Sequence, residues 1–239
     1  DRMRQQTEEL FREDAYARRC EAEVVATGDG GLCLDRTVFY CHGGGQPGDR
    51  GRLLLADGAA LEVVDTVRAD GRIVHRLAEG SPLPAIGTRL VAEIDWPRRH
   101  RLMRMHSAMH LLCAAVACPV SGGQVGADRS RLDFDAGETK LDKEAIAERI
   151  AGWIGEDHPI SHLWIDADEL DARPELVRTM SVRPPRGAGR IRLIEIEGVD
   201  LQACGGTHVR STREIGAVAV GKIENKGRQN RRVNITLVE

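Results

Sequence analysis

The sequence predicts an α+β fold in which a small N-terminal β-barrel is followed by an α+β domain with an antiparallel sheet. Up to residue 96 the chain alternates short runs rich in Val, Ile and Leu with turns that contain Gly and Asp, a pattern typical of small barrels and sandwiches. From residue 97 the apolar period becomes helical and later returns to strands. We therefore expect two domains, 1–96 and 97–239.

The N-terminal domain is expected to begin with a short amphipathic helix from Glu8 to Arg19, because apolar residues recur there at helical spacing. Strands should follow at 20–27, 31–40, 51–58, 60–67, 72–78 and 88–96. The segment HGGGQPGDRG, from His42 to Gly51, is predicted to be a loop. It lacks the GKS or GKT ending of a phosphate loop, but its glycines permit close backbone approach and its polar residues can project toward a neighbouring site.

The second domain should begin with a helix over 98–118, whose apolar residues fall on one side. Pro119 ends this helix, and residues 121–130 are predicted to be a loop. The remaining predictions are strands at 131–135, 161–166 and 190–198, a helix from Lys143 to Ile154 capped by Asp142, and closing antiparallel strands over 214–227 and 231–239.

Composition and charge describe a globular protein without a global attraction to nucleic acid, since the net charge is −3 and the pI about 6.3. Three local basic runs, 98–104, 183–192 and 226–232, are candidates for phosphate contacts. No apolar run approaches the roughly 20 residues of a membrane helix, and the charged start does not resemble a signal peptide. We therefore expect a cytoplasmic protein that does not contact a membrane.

Two pairs of potential metal ligands are the most informative feature. His106 and His110 lie four residues apart on the predicted helix, so both imidazoles occupy one face. A metalloprotease of the HExxH type needs a Glu beside the first His, and Ser107 takes that position. Alone, this pair is better explained by a helix with one half-buried and one exposed His.

The second pair, Cys204 and His208, has the same separation within CGGTH, where the glycines suit a tight turn. Thiolate and imidazole are the ligands that zinc prefers, so the two pairs together predict a zinc site. A closed site with four protein ligands is usually structural, whereas a catalytic zinc keeps one position open. The sequence leaves open which ligand would stand back.

Several motifs of the chain, taken together, resemble those of the alanyl-tRNA editing proteins, namely the AlaX family in its medium-length form. The motifs are HSAMH at His106–His110, CGGTH at Cys204–His208, FYCHGGGQPGDRG at Phe39–Gly51, DRSRLDFD at Asp128–Asp135 and the closing EIGAVAVGKIENKGRQNRRVNITL. The resemblance covers nearly the whole chain. It implies a β-barrel like that of translation factors, followed by an editing domain.

The resemblance further implies a trans-editing hydrolase that deacylates mischarged tRNA(Ala), mainly Ser-tRNA(Ala) and in some cases Gly-tRNA(Ala). The catalytic zinc would be held by His106, His110, Cys204 and His208. The expected partner is the tRNA(Ala) acceptor end, and a monomer is expected. The residues expected to contact the substrate are Gly45, Gln46, Asp49, Gln124 and Thr207.

Discrimination against alanine is expected to depend on a hydrogen bond to the serine hydroxyl, because a polar group would stay unpaired when alanine enters. Gln46, Ser107, Gln124 and Thr207 are the candidates for this bond. Other hypotheses remain open: a covalent mechanism with Cys204 as nucleophile and His208 as base, activity on Ser-tRNA(Thr), or a non-catalytic zinc module that binds tRNA or a synthetase. A hydrolase of small esters is disfavoured, because the basic runs would serve no purpose there.

Overall fold

The computed structural model describes residues 6–28, 30–178 and 189–239 and divides the chain into two compact units. The first unit contains residues up to Gly43 together with Pro47–Arg99, and the second contains Gly44–Gln46 and His100–Glu239. The predicted α+β class, with a barrel and further antiparallel sheets, is confirmed. The predicted domain limits, 1–96 and 97–239, stay a prediction.

The first unit is built around a closed barrel. Its strands are β1 (Glu8–Glu9), β2 (Arg19–Gly28), β3 (Gly31–Leu34), β4 (Arg36–Thr37), β5 (Gly51–Leu55), β6 (Ala60–Ala69), β7 (Arg72–Leu77) and β8 (Arg89–Ile94). Antiparallel pairing closes the barrel in the order β2-β3-β7-β6-β5-β8. Alternate residues of these strands, such as Val24, Leu34, Leu53 and Val63, fill the interior, as expected for a small barrel whose core consists of side chains.

The helix predicted from Glu8 to Arg19 is wrong. Strand β1 pairs in parallel with β4, and only Leu10–Arg12 form a single 3₁₀ turn. The amide of Glu8 donates to the carbonyl of Asp35 at 2.8 Å, and the ring of Phe11 packs edge-on against Tyr40. Long-range pairing and burial therefore outweigh the helical pattern, because a short isolated helix is marginal.

The second unit combines four helices and two sheets among its described residues. Its elements are α1 (Trp96–Ala115, which begins in the first unit), β9 (Val120–Gln124), β10 (Ser130–Asp135), α2 (Lys143–Glu156), β11 (Ile160–Asp166), α3 (Ala167–Ala172), β12 (Arg190–Ile196), β13 (Asp200–Ala203), α4 (Thr212–Ile215), β14 (Val218–Val220), β15 (Glu224–Asn225) and β16 (Asn230–Leu237), with a 3₁₀ turn at Pro174–Leu176. One sheet has the order β14-β16-β10-β9, with β15 also on β16, and the other has the order β11-β12-β13.

Helix α1 is buried all round over the turns that carry the first ligand pair. Every residue from Met105 to Cys113 is buried, including Leu111 on the side that the predicted apolar stripe leaves out. A helix enclosed on all sides is a core element. The predicted cap of the next helix is confirmed, since Asp142 accepts a hydrogen bond from the amide of Ala145 at 3.1 Å.

The loop predicted over 121–130 is wrong for its first residues, which form strand β9 up to Gln124. Residues up to Gln124 pair antiparallel with β10 despite two consecutive glycines. Glycine is unfavourable in strands, but the neighbouring β10 offers a ladder for these backbone groups. Among the described residues, no helix combines the length and the apolar character needed to cross a bilayer.

Candidate metal centre

The structure brings together the four predicted ligand residues, all within the second unit. His106 and His110 project from one side of α1, one turn apart, and their ring centroids are 5.3 Å from each other. Cys204 and His208 lie in the CGGTH turn that follows β13. The four possible ligand atoms all lie within 4.8 Å of one another, so the group can hold a metal ion.

The two printed distances from the sulfur fit the geometry of a tetrahedral zinc site. Zinc–nitrogen bonds of about 2.0–2.1 Å and a zinc–sulfur bond of about 2.3 Å separate tetrahedral ligands by roughly 3.3–3.6 Å. Sγ of Cys204 lies 3.6 Å from Nε2 of His106 and 3.4 Å from Nε2 of His208. The chemistry of the donor set, one sulfur and three imidazoles, also suits zinc.

The outer nitrogen of His106 is held by Gln46. Oε1 of Gln46 lies 2.7 Å from Nδ1 of His106 and also accepts the amide of Thr207, while Nε2 of Gln46 donates to the Thr207 hydroxyl at 2.8 Å. The two contacts with Thr207 determine which end of the Gln46 amide is the oxygen. His106 must therefore donate from Nδ1, which leaves the lone pair of Nε2 for a metal.

The other two imidazoles have comparable partners on the side away from the sulfur. Nδ1 of His208 lies 3.1 Å from Oγ of Ser107, which also accepts the amide of Val209. Nδ1 of His110 lies 3.4 Å from Oδ2 of Asp200. Among the described residues, Nδ1 of His110 has no partner that meets hydrogen-bond geometry. The contact between His110 and Asp200 is therefore an electrostatic interaction rather than a well-aligned hydrogen bond. A carboxylate behind a histidine is a common support of metal ligands.

Charge within the cluster prepares it for a cation. Burial alone would raise the pKa of the Cys204 thiol, but the charges of His106, His110 and His208 hold it well below its usual value. Burial and the two other imidazoles hold the pKa of His208 well below its ordinary range. Burial opposes protonation of His110, yet Cys204 and Asp200 raise its pKa to about 9. The cluster thus holds a negatively charged Cys204 thiolate and a proton on His110 that balances this charge. A metal ion that binds here would displace that proton.

The turn that carries Cys204 is packed against the histidines. The amide of Gly206 donates to Sγ of Cys204 at 3.4 Å. A Cβ atom at Gly206 would lie 2.1 Å from Cε1 of His106, so only glycine fits there. The side chains of His106, His110 and His208 are almost fully buried, while Cys204 is partly exposed.

The residues predicted to contact the substrate divide between the two units. Gly45, Gln46, Gln124 and Thr207 belong to the second unit, where the carbonyl of Gly45 accepts the amide of Val125 at 2.8 Å. Gln46 and Thr207 are fully buried and bonded to each other, whereas Gln124 is exposed at the end of β9.

Asp49 belongs to the first unit, whereas the other four residues predicted to contact the substrate belong to the second. Its carboxylate is 1% exposed and Arg99 is 0% exposed. Nε of Arg99 donates to Oδ2 of Asp49 at 2.9 Å, and the amide of Tyr40 donates to the same oxygen at 2.8 Å. These contacts give Asp49 a structural role in the first unit.

The basic run 98–104 directs most of its guanidinium groups into the protein. Arg98 donates to the carbonyl of Gly48 and Arg99 is buried, both within the first unit. In the second unit, Arg101 donates to Ala127 and Arg104 to Ile215. The phosphate contacts proposed from the sequence stay a prediction for this run. Residues 183–188 of the second run lie outside the described residues.

Sequence reasoning missed two residues that support the cluster, Asp200 and Arg192. Asp200 lies four residues before Cys204, and a search for a carboxylate near the ligand motif would have found it. Arg192 was assigned to a basic run, but it is buried and donates to the carbonyls of Cys204 and Gly206.

Comparison with known proteins agrees with this architecture. Residues 5–98 match the family model for tRNA synthetases class II (A), and residues 191–234 match the threonyl and alanyl tRNA synthetase second additional domain. The alanine–tRNA ligase of Pyrobaculum arsenaticum is 38% identical to 91% of this chain, which spans 25% of that ligase. Barrel, ligand cluster and family models together define an editing domain of the synthetase type.

Relatives much shorter than the ligase match nearly the whole chain. The alanyl-tRNA editing protein AlaX-M of Methanosarcina acetivorans is 38% identical, with 98% of this chain and 100% of the relative covered. The protein of the same name from Saccharolobus solfataricus is 32% identical, with coverage of 97% and 99%. The chain therefore belongs to the AlaX-M family of alanyl-tRNA editing proteins, and the predicted enzyme class, an aminoacyl-tRNA deacylase, is confirmed.

Proposed function

We propose that this protein is a trans-editing hydrolase that removes serine, and secondarily glycine, from mischarged tRNA(Ala) at a zinc site. The observation that carries the proposal is the convergence of four ligand atoms within 4.8 Å in a chain whose full-length relatives are alanyl-tRNA editing proteins. A small synthetase pocket discriminates poorly between such similar amino acids, which is why a second, hydrolytic site is needed.

Zinc would be held by His106, His110, Cys204 and His208. Bound zinc supplies a Lewis acid that can lower the pKa of a water molecule or polarise the ester carbonyl. If all four residues held the zinc, one of them would have to leave its position open for substrate or water in a catalytic site. Cys204 is the partly exposed member of the set, which makes its side of the cluster the natural direction of approach.

The residues of the chain itself prepare this site by fixing orientation and protonation. Gln46, Ser107 and Asp200 face the outer nitrogens of the three histidines, so that the inner nitrogens converge on one point. The amide of Gly206 stabilises the negative charge on Cys204. Cys204 would then be a thiolate ligand, because the bound metal would balance its negative charge in place of a proton on an imidazole.

Recognition of the serine hydroxyl is assigned to Gln124. Of the four candidates, Gln46, Ser107 and Thr207 are fully buried and hydrogen-bonded within the protein. Gln124 is exposed at the end of β9, where its amide can both donate and accept. Gln46 is therefore reassigned from contacting the substrate to orienting His106.

The tRNA(Ala) acceptor end is the proposed partner, and the cytoplasm, where charged tRNA is used, is the proposed location. We further propose that residues 1–96 and 97–239 act as separate domains. The support is that the closed barrel belongs to the first unit and the ligand cluster to the second. A monomer suffices for this role, since one chain supplies all four ligands.

The test is deacylation of tRNA(Ala) carrying radiolabelled Ser, Gly or Ala, with zinc content measured on the same preparations. We expect rapid loss of Ser, slower loss of Gly and no loss of Ala above the spontaneous rate. Cys204→Ala should lose zinc and activity. Cys118→Ala is the matched control, because Cys118 is a buried thiol of the same unit that is outside the ligand cluster.

Each alternative gives a different result in this assay. Loss of Ser from tRNA(Thr) but not from tRNA(Ala) would point to threonyl-tRNA editing. Stoichiometric zinc and tight tRNA binding without turnover would indicate a binding module. A covalent Cys204 mechanism requires that Cys204→Ala keep zinc while losing activity, and full activity with full zinc in Cys204→Ser would exclude both roles of this residue.

A further inference from the structure

Arg192 is an arginine buried in the middle of a sheet, in the central strand β12 of β11-β12-β13. Only 6% of its surface is exposed. An arginine is rarely buried without a specific role for its charge and donors. The basic run to which it belongs suggested phosphate contacts, but a guanidinium enclosed in this way does not face a tRNA backbone.

The contacts of Arg192 hold the turn that carries Cys204. The amide of Cys204 donates to the carbonyl of Arg192 at 3.1 Å. Nη1 of Arg192 donates to the carbonyl of Cys204 at 3.1 Å and to that of Gly206 at 2.9 Å. Arg192 thus bonds both backbone polar groups of Cys204 and the carbonyl of Gly206, two residues further along the turn.

The hydrogen bonds of Arg192 also connect it to His106, a member of the first ligand pair. The carbonyl of Gly206 and the amide of Thr207 belong to one peptide group, and that amide donates to Oε1 of Gln46, the atom that faces Nδ1 of His106. A positive donor on the carbonyl polarises the peptide and strengthens its N–H as a donor. Arg192 is therefore connected to a cysteine ligand directly and to a histidine ligand through two hydrogen-bonded groups.

We propose that Arg192 is a positioning residue of the metal site, which holds Cys204 and the following turn at the distance that zinc requires. The proposal rests on the proposed function in that it takes zinc as the metal. Ligand distances in a zinc site tolerate about 0.2 Å, and residues that support ligands from behind typically change metal affinity by about 10–100-fold. A glycine turn has little stiffness of its own, so an external anchor is needed.

The test measures zinc affinity of the full chain by competition with a chromophoric chelator, for Arg192→Met and Arg192→Lys. Arg192→Met keeps an unbranched apolar stem but removes the guanidinium donors, and we expect zinc to bind about 10–100-fold more weakly. Arg192→Lys keeps the charge and can reach one carbonyl, so its affinity should be intermediate. In the cobalt-substituted protein, the sulfur-to-cobalt charge-transfer band should weaken in the same order.

Arg190→Met is the matched control, because Arg190 lies exposed on the same strand, over the ring of Trp164. Its zinc affinity should equal that of the wild type. Deacylation by zinc-loaded Arg192→Met should show a lower kcat with an unchanged KM for tRNA. If Arg192 had a purely structural role, Arg192→Met would lower the unfolding midpoint of the metal-free protein. Its zinc affinity, measured at a temperature where the variant is folded, would then equal that of the wild type.

Wild-type zinc affinity in folded Arg192→Met would overturn the proposal, as would a raised KM for tRNA with unchanged zinc affinity, which would mark a phosphate contact. If Arg192→Met does not fold, Arg192→Lys decides, and wild-type affinity in that variant overturns the proposal. Failure of the proposed function is distinguishable, because it appears in the wild type as zinc binding without deacylation.

Discussion

Replacing Gly206 by alanine should disable the metal centre while leaving the fold intact. The added Cβ would lie 2.1 Å from Cε1 and 2.4 Å from Nδ1 of His106, and 3.0 Å from Oε1 of Gln46. Relief to an ordinary contact of 3.4 Å requires a displacement of about 1.3 Å between the turn and the His106 ring. This is several times the roughly 0.2 Å that zinc–ligand distances tolerate.

We therefore expect Gly206→Ala to lower zinc affinity by more than about 100-fold, above the range for supporting residues, because a ligand itself is displaced. The assay is chelator competition, with deacylation of Ser-tRNA(Ala) measured at saturating zinc. Gly152→Ala is the matched control, since Gly152 lies in helix α2 and, apart from its chain neighbours and the backbone of the helix itself, no atom lies within 4 Å of the added Cβ. It should keep zinc and gain about 0.5–1 kcal/mol in stability.

Normal zinc affinity in folded Gly206→Ala would refute the geometry of the site, because it would mean that the turn does not press on His106. Loss of zinc in Gly152→Ala would show that the affinity measurement reports general stability rather than the site.

Three further outcomes follow from particular side chains. Gln46→Met should weaken zinc binding by about 10–100-fold, whereas Gln46→Glu, which keeps an oxygen facing Nδ1 of His106, should retain most of it; titration with zinc distinguishes them. Asp49→Ala should lower the free energy of unfolding by about 3–5 kcal/mol, because it leaves the buried Arg99 without its counter-ion, and urea unfolding measures this. Burial lowers the pKa of His75 to about 4, below the usual value of about 6.5, so the unfolded chain binds the proton first. Stability should fall as pH drops from 6.5 toward 4, by up to about 3 kcal/mol, and the difference in unfolding free energy between wild type and His75→Gln should shrink over that range; a constant difference would contradict the assignment.

The four potential metal ligands were predictable as two pairs because each pair depends on local spacing. Residues four apart on a helix share a face, and a glycine turn lets Cys204 and His208 converge, so each pair is encoded within five residues. The strands of the barrel were predictable for the same reason, since alternation over short runs is a local pattern. The capped helix after Asp142 is another local signal, confirmed by its bond to Ala145.

The misplaced elements are those that depend on partners far along the chain. The segment from Glu8 follows a helical pattern, yet β4 offers its backbone a strand to pair with. The glycines of β9 predict a loop, yet β10 supplies a ladder. Intrinsic preferences of this size, at most about 1 kcal/mol per residue, are easily exceeded by pairing and burial.

The sequence by itself determined two pairs of potential metal ligands, the glycine-rich loop and the family to which the chain belongs. Only the tertiary structure decided how these ligands are supported. Gln46 lies 60 residues from His106, and Arg192 reaches back to the turn of Cys204 from a neighbouring strand. Their roles could not be predicted because the direction of a buried polar side chain depends on which unpaired groups the fold places beside it.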